Sequence, residues 1–213
     1  MAIFGIAGQA FSGKDTFAKM LAEELNKLQH PAYVLMAYAG ELKNRVQKDF
    51  DLSYDQLWGD KKEHTDLRYS KKGHGYSSNP GDYWTAREIM QAYGELYRTI
   101  DYDFWVKNLF KVIEDKEYKN VIITDVRHVN EAEAVKEHGG FLIKIIRENK
   151  MTPHGETHIS ETALNDYKSY DFTIINNFGL DDLRISTQEL IKFLQRSIPE
   201  LKTSSDKILK VSL

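Results

Sequence analysis

The sequence predicts an α/β fold in three layers: a five-stranded parallel sheet between helices. Two observations carry this. Short apolar runs near residues 3, 33, 122, 143 and 173 alternate with segments of helical periodicity, the pattern of strands joined by crossover helices. Right-handed crossovers place those helices on both faces of the sheet. The first run, Ile3-Phe4-Gly5-Ile6-Ala7, leads straight into a glycine-bearing loop and then an amphipathic segment with Phe17, Met20, Leu21 and Leu25.

Composition narrows the class. The 213 residues suit a single domain, and an apolar content of 41% can fill a sizeable core. The formal charge of -3 offers no broad footprint for a nucleic-acid polymer. With no cysteine there is no disulfide framework and no thiolate chemistry, which fits a reducing interior. The first residues read as a strand, not a secretory leader. No window approaches the ~18 uncharged apolar residues of a membrane span. A soluble, cytoplasmic protein is expected, and a homodimer is compatible with the sequence.

The loop Gly8-Gln9-Ala10-Phe11-Ser12-Gly13-Lys14-Asp15-Thr16 reads as a P-loop. Backbone N–H groups of such a loop and of the following helix start converge on one anion, and the helix dipole favours negative charge there. Gly8 and Gly13 are expected to supply positive φ and close approach to phosphate. Lys14 adds a point charge for the β/γ oxygens. Where the motif has Ser or Thr after the lysine, this chain has Asp15, a hard oxygen ligand for Mg²⁺, direct or through water. Thr16, about 100° further round the helix, suits the α-phosphate.

The remaining elements follow in order. A helix over about 14–28 precedes a strand at Ala32–Met36, and a helical pattern then runs to about Phe50. From Asp60 to Tyr83 the periodicity disappears among Lys61, Lys62, Arg68, Lys71 and Lys72, so a loop is expected, either solvated or a flap carrying positive charge. Over Thr85–Ile100, Arg87, Gln91, Gly94 and Arg98 fall within roughly 60° of one another. Ile89, Tyr93, Leu96, Tyr97 and Ile100 fill the opposite side. That polar stripe faces either solvent or a ligand with a phosphate and a flat base edge. A buried helix from Asp103 to Ile113 carries Trp105, by default a core residue.

Val121-Ile122-Ile123-Thr124-Asp125 is a buried strand ending in a carboxylate, with Arg127 two residues on. The spacing of Asn130 and Glu133 predicts a capping box starting the next helix. Ligands of parallel sheets sit beyond the carboxyl ends of strands, where Asp125 and Arg127 should project. A strand at Phe141–Ile146 closes on Arg147. Residues 147–170 lack a strong period and read as a lid carrying Arg147, Lys150 and His158. The stretch is too loop-like for His154 and His158 to form a helical zinc pair. A last strand at Asp171–Asn176 and a helix over Leu183–Leu194 complete the pattern.

Together these motifs resemble the bacteriophage deoxynucleoside monophosphate kinases, within the P-loop nucleoside monophosphate kinase group. The resemblance rests on Ser12-Gly13-Lys14-Asp15-Thr16, Ala39-Gly40-Glu41-Leu42-Lys43, Arg87 through Gly94, Phe104-Trp105-Val106, Thr124-Asp125-Val126-Arg127, Thr157 through Glu161 and Phe172 through Asn177. It implies a P-loop NTPase-type sandwich spanning residues 1–213, with a helical acceptor-binding region at about 38–115 and a lid at about 147–170. It also implies phosphoryl transfer from ATP, with Mg²⁺, to a deoxynucleoside 5′-monophosphate for DNA precursor synthesis. Carried to matching positions, it assigns the acceptor to Lys43, Arg87, Gln91, Arg98, Trp105 and Arg127, and the donor to Gly8, Ser12, Gly13, Lys14, Asp15 and Thr16. Asn176 would approach the adenine. Asp15 and Asp125 are the metal candidates; Lys14, Asp125, Arg127 and Arg147 are the catalytic ones. Similar P-loop kinases of dephospho-coenzyme A or phosphomevalonate are the nearest alternative, and a nucleotide-dependent switch protein is a more distant one.

Overall fold

The first strand, β1 (Ala2–Ala7), is buried from Ile3 onward on both faces, as the centre of a parallel sheet requires. In this computed structural model, which describes residues 1–28, 31–73, 76–148 and 159–197, it is followed by α1 (Lys14–Leu28), β2 (Val34–Met36) and α2 (Tyr38–Phe50). Then come α3 (Tyr54–Leu57), β3 (Thr65–Ser70), β4 (Tyr83–Thr85), α4 (Ala86–Ile100) and α5 (Phe104–Asp115). The chain continues with β5 (Asn120–Val126), α6 (Val129–Glu137), β6 (Phe141–Ile146), α7 (Ile159–Thr162), β7 (Phe172–Ile175) and α8 (Leu180–Ser197). Among the described residues no helix is long and apolar enough to cross a membrane.

The chain forms two compact units, Met1–Ala37 with Val112–Leu213, and Tyr38–Lys111. The first holds the sheet, ordered β2-β5-β1-β6-β7 with every pairing parallel. On one face Phe4, Ile6, Ile122, Ile143 and Ile145 pack against Phe17, Leu21 and Leu25 of α1 and Leu183, Leu190 and Leu194 of α8. On the other, Gly5 leaves room for α6: a Cβ there would stand 2.9 Å from Val135 Cγ2. These are the three layers the alternation of strands and helices predicts. Gly139, at φ +70, ends α6 in the left-handed conformation that suits a glycine cap.

The second unit packs Leu42 and Val46 of α2 and Leu57 of α3 against Ala86 and Ile89 of α4 and Trp105 of α5. Thr85 caps α4, its hydroxyl accepting from Glu88 N–H while the Glu88 carboxylate accepts from Thr85 N–H. Inside the stretch expected to be a loop, β3 and β4 pair antiparallel. Its cations are already engaged: Arg68 with Asp66 at 2.7 Å, Lys71 with Glu88 at 2.7 Å and Lys72 with Asp82 at 2.7 Å. These pairs hold the cations on the hairpin itself. Arg68 holds the Asp66 carboxyl down at about 2. Its contribution to the hairpin is therefore full above the ordinary carboxylate pKa of about 4 and is lost as pH falls through about 2.

Other boundaries differ for local reasons. β2 starts at Val34 because Tyr33 is tied to α1, its N–H donating to Asn26 Oδ1 at 2.6 Å. α6 starts at Val129, capped at His128, and not at Asn130. The carboxylate that reaches back is Glu131, accepting from the N–H groups of Arg127 at 2.8 Å and His128 at 3.1 Å. β5 runs one residue past Asp125, and α8 runs from Leu180 to Ser197. On α4, Leu96 and Ile100 are 57% and 78% exposed, so the apolar side is only partly covered.

Candidate active site

The loop after β1 is shaped by one left-handed glycine and one side chain from a distant strand. Gly13 has φ +91, and its carbonyl accepts the Phe17 N–H at 2.9 Å, inside the first turn of α1. A Cβ on Gly13 would collide with the Asn176 amide. That amide is buried at the end of β7, and its Nδ2 donates to the Ser12 carbonyl at 2.9 Å. The peptide is planar and trans, so turning the Ser12 C=O onto Asn176 points the Gly13 N–H the opposite way. Asn176 therefore gives one of its two amide N–H groups to bracing the loop. Gly8 has no positive φ; its requirement is space, since a Cβ would lie 2.8 Å from the Ile145 carbonyl. Phe11 takes the other left-handed position, at φ 60, and sequence reasoning missed it.

Within the loop, Ser12 is 1% exposed, and its hydroxyl has no hydrogen-bond partner among the described residues. A buried hydroxyl left unpaired costs stability unless a ligand or water completes it. Lys14 is 6% exposed, and its Nζ lies 3.6 Å from Oδ2 of Asp15, whose own side chain is 71% exposed. Thr16 is half-buried on the same first turn.

Beyond the ends of β1, β5 and β6 lies a cavity of about 280 Å³. Gly8, Ser12, Arg127 and Arg147 meet in its lining, together with Lys144 and Tyr170. Lys14, Asp15, Thr16, Asp125 and Asn176 lie outside that lining, and Asp125 is buried in β5. Glu131 fixes the backbone from which Arg127 projects, through the bond to its N–H. Lys144 and Tyr170 were missed, although a lysine inside Phe141–Ile146 was a legible signal. Lys150 and His158 of the expected lid lie outside the described residues. No three His, Asp or Glu side chains cluster as a metal cage among the described residues. Mg²⁺ rarely uses such a cage, taking one or two carboxylates plus phosphate oxygens, and Asp15 and Asp125 suit that pattern.

In the second unit the α4 stripe divides. Arg87 is ion-paired with Glu63, and Gln91 and Arg98 are half-buried. Gly94 serves packing instead: a Cβ there would lie 2.8 Å from Leu42 Cδ1 of α2. Its carbonyl accepts the Trp105 indole N–H at 3.1 Å. Trp105 is 2% exposed inside this unit's core and braces α4 from within. Lys43, on α2, holds its Nζ 5.9 Å from the Trp58 ring centre.

Comparisons with known proteins agree on a family. A family model for deoxynucleotide monophosphate kinases matches residues 31–187. That match begins after the loop 8–16, so loop and match are independent observations. A protein of Acanthamoeba polyphaga mimivirus, provisionally named deoxynucleotide monophosphate kinase, is 32% identical over 200 residues, covering 85% of this chain and 92% of its own length. The deoxynucleotide monophosphate kinase of Escherichia phage RB69 is 27% identical over 120 residues, 54% of this chain and 48% of that one. A solved dephospho-CoA kinase from Campylobacter jejuni superposes with a TM-score of 0.50 at 13% identity, covering 92% of this chain and 99% of its own. That last likeness shows the fold alone.

Proposed function

The chain belongs to the deoxynucleotide monophosphate kinase family, and from that premise we propose that it transfers the γ-phosphoryl of ATP to the 5′-phosphate of a deoxynucleoside monophosphate. The carrying observation is the loop at the start of α1: a buried lysine loosely paired at 3.6 Å, and a buried serine hydroxyl without a partner among the described residues. Both are placed to receive an anion, and a helix N-terminus favours one. The substrates are soluble anions, so the proposed place of action is the cytoplasm, the host's where the gene is viral.

The chemistry needs no general base. The acceptor phosphate has a second pKa of about 6, so its oxygen is already nucleophilic at neutral pH. Catalysis is then positioning and neutralisation of the equatorial oxygens. Lys14 holds the β/γ oxygens, Thr16 the α-phosphate, and the Ser12 hydroxyl a phosphate oxygen. Asp15 and Asp125 would hold Mg²⁺, directly or through water, and the ion would supply positive charge against the donor phosphates. Arg127 and Arg147 draw in the acceptor phosphate and offset the repulsion between two anions. Lys43, Arg87, Gln91 and Arg98 bind the rest of the acceptor. The Arg87–Glu63 pair is partly exposed, and such a pair is weak enough for a phosphate to displace.

An assay of ADP release over a panel of deoxynucleoside monophosphates, dephospho-coenzyme A and phosphomevalonate tests this reading. Release that depends on a deoxynucleoside monophosphate and on Mg²⁺ is expected; release indifferent to all of them would overturn it. Arg127→Lys is expected to lower turnover at least tenfold, about 1.4 kcal/mol of barrier, because lysine cannot grip a phosphate with two parallel bonds. Near-normal kcat under saturating substrates would remove Arg127 from the mechanism.

A further inference from the structure

Lys144 stands where this sheet should be apolar. Its strand, β6, lies between β1 and β7, and its neighbours Leu142, Ile143 and Ile145 are all buried. Ile143 and Ile145 belong to the cluster under α1 and α8, so the two-residue alternation of a strand sends Lys144 to the opposite face. Its register partner is Ala7, the residue before Gly8. There it lines the same cavity as Ser12, Arg127 and Arg147. The ammonium lies 4.9 Å from the centre of the Tyr170 ring, and no carboxylate among the described residues reaches ion-pair distance of it. Burial pushes the Tyr170 hydroxyl up to about 12, so the ring facing Lys144 is a neutral phenol and supplies no counter-charge. A lysine half withdrawn from water, against a neutral ring and beside two arginines, is in place for an anion.

We propose that Lys144 is a further catalytic residue, touching the phosphoryl oxygens in transit, and that Tyr170 is the positioning residue that aims it. The inference rests on the assignment of the donor to the loop 8–16. In the step it serves, an acceptor-phosphate oxygen bonds to the γ-phosphorus while the bond to the β–γ bridging oxygen breaks and ADP leaves. Lys144 remains an ammonium throughout and transfers no proton; it offsets charge on the three equatorial oxygens.

The test compares Lys144→Met, Lys144→Arg, Tyr170→Leu and Tyr170→Phe with the wild type, reading kcat, both KM values and Tm. Methionine keeps the apolar stem and suits a buried strand, so Lys144→Met is expected to melt no lower than the wild type. Its kcat is expected to fall about tenfold or more while the acceptor KM moves less than about threefold. Lys144→Arg should recover most of that loss, because the charge returns. Tyr170→Phe keeps the ring and should stay near the wild type, whereas Tyr170→Leu should lose about threefold or more in kcat. The double variant Lys144→Met/Tyr170→Leu should be no slower than Lys144→Met alone, since the ring acts through the lysine. A folded Lys144→Met with wild-type kcat would overturn the proposal, as would Tyr170→Phe losing as much as Tyr170→Leu. If the wild type itself phosphorylates no deoxynucleoside monophosphate, the functional reading fails instead, so the two failures are separable.

Discussion

Replacing Lys14 with alanine is expected to lower turnover of deoxynucleoside monophosphates at least tenfold at saturating ATP and acceptor. Lys14 is 6% exposed, and among the described residues its ammonium has only a 3.6 Å pairing with a carboxylate that is itself largely in solvent. Such a pair adds little to folding, so the charge is available for a ligand. Hydrogen bonds to charged groups are worth about 1.5–3 kcal/mol, which as a barrier corresponds to roughly tenfold to a hundredfold or more in rate. Lys14→Arg should not restore activity, because a wide planar fork replaces a compact point charge in a tight loop. Steady-state kcat, with Tm as a control for folding, decides the matter. A folded alanine variant with near-normal kcat would show that the loop's amides suffice.

Gly13→Ala is expected to damage both stability and donor binding, for two separable reasons. At φ +91 an L-residue carries a backbone penalty of about 1–2 kcal/mol. The added Cβ also drives into the Asn176 amide, which must then leave the Ser12 carbonyl. A lowered Tm and a loss of ATP affinity of about tenfold or more should follow, read by thermal unfolding and calorimetry. In the double variant Gly13→Ala/Asn176→Ala the collision is relieved but the φ strain remains, so part of the Tm should return. Full additivity of the two single losses would mean that the side-chain collision does not matter.

Legibility followed the physics of each element. Strands buried on both faces announce themselves as apolar runs, so β1, β5 and β6 were readable directly. The hairpin of β3 and β4 was not, because β3 lies largely at the surface, and Thr65-Asp66-Leu67-Arg68-Tyr69-Ser70 carries no strong period. Two adjacent capping patterns compete for the start of α6. Asn130 with Glu133 fits the rule, yet Glu131 is the carboxylate whose oxygen bonds the Arg127 and His128 N–H groups. Trp105 and Gly94 share the helical region with the polar stripe, but their bond to each other puts them in the core.

Local order along the chain determined the alternation of strands and helices, the glycine-lysine loop, the carboxylate near the end of β5 and the arginine just after it. Each depends on residues within a few positions of one another, so a linear reading reaches it. Only the tertiary structure decided that Asn176 braces the Ser12 carbonyl from 164 residues away. It also decided that Lys144 and Tyr170 share a cavity with Arg127. Those pairings are made by strand order in the sheet, and strand order is settled by packing between distant segments.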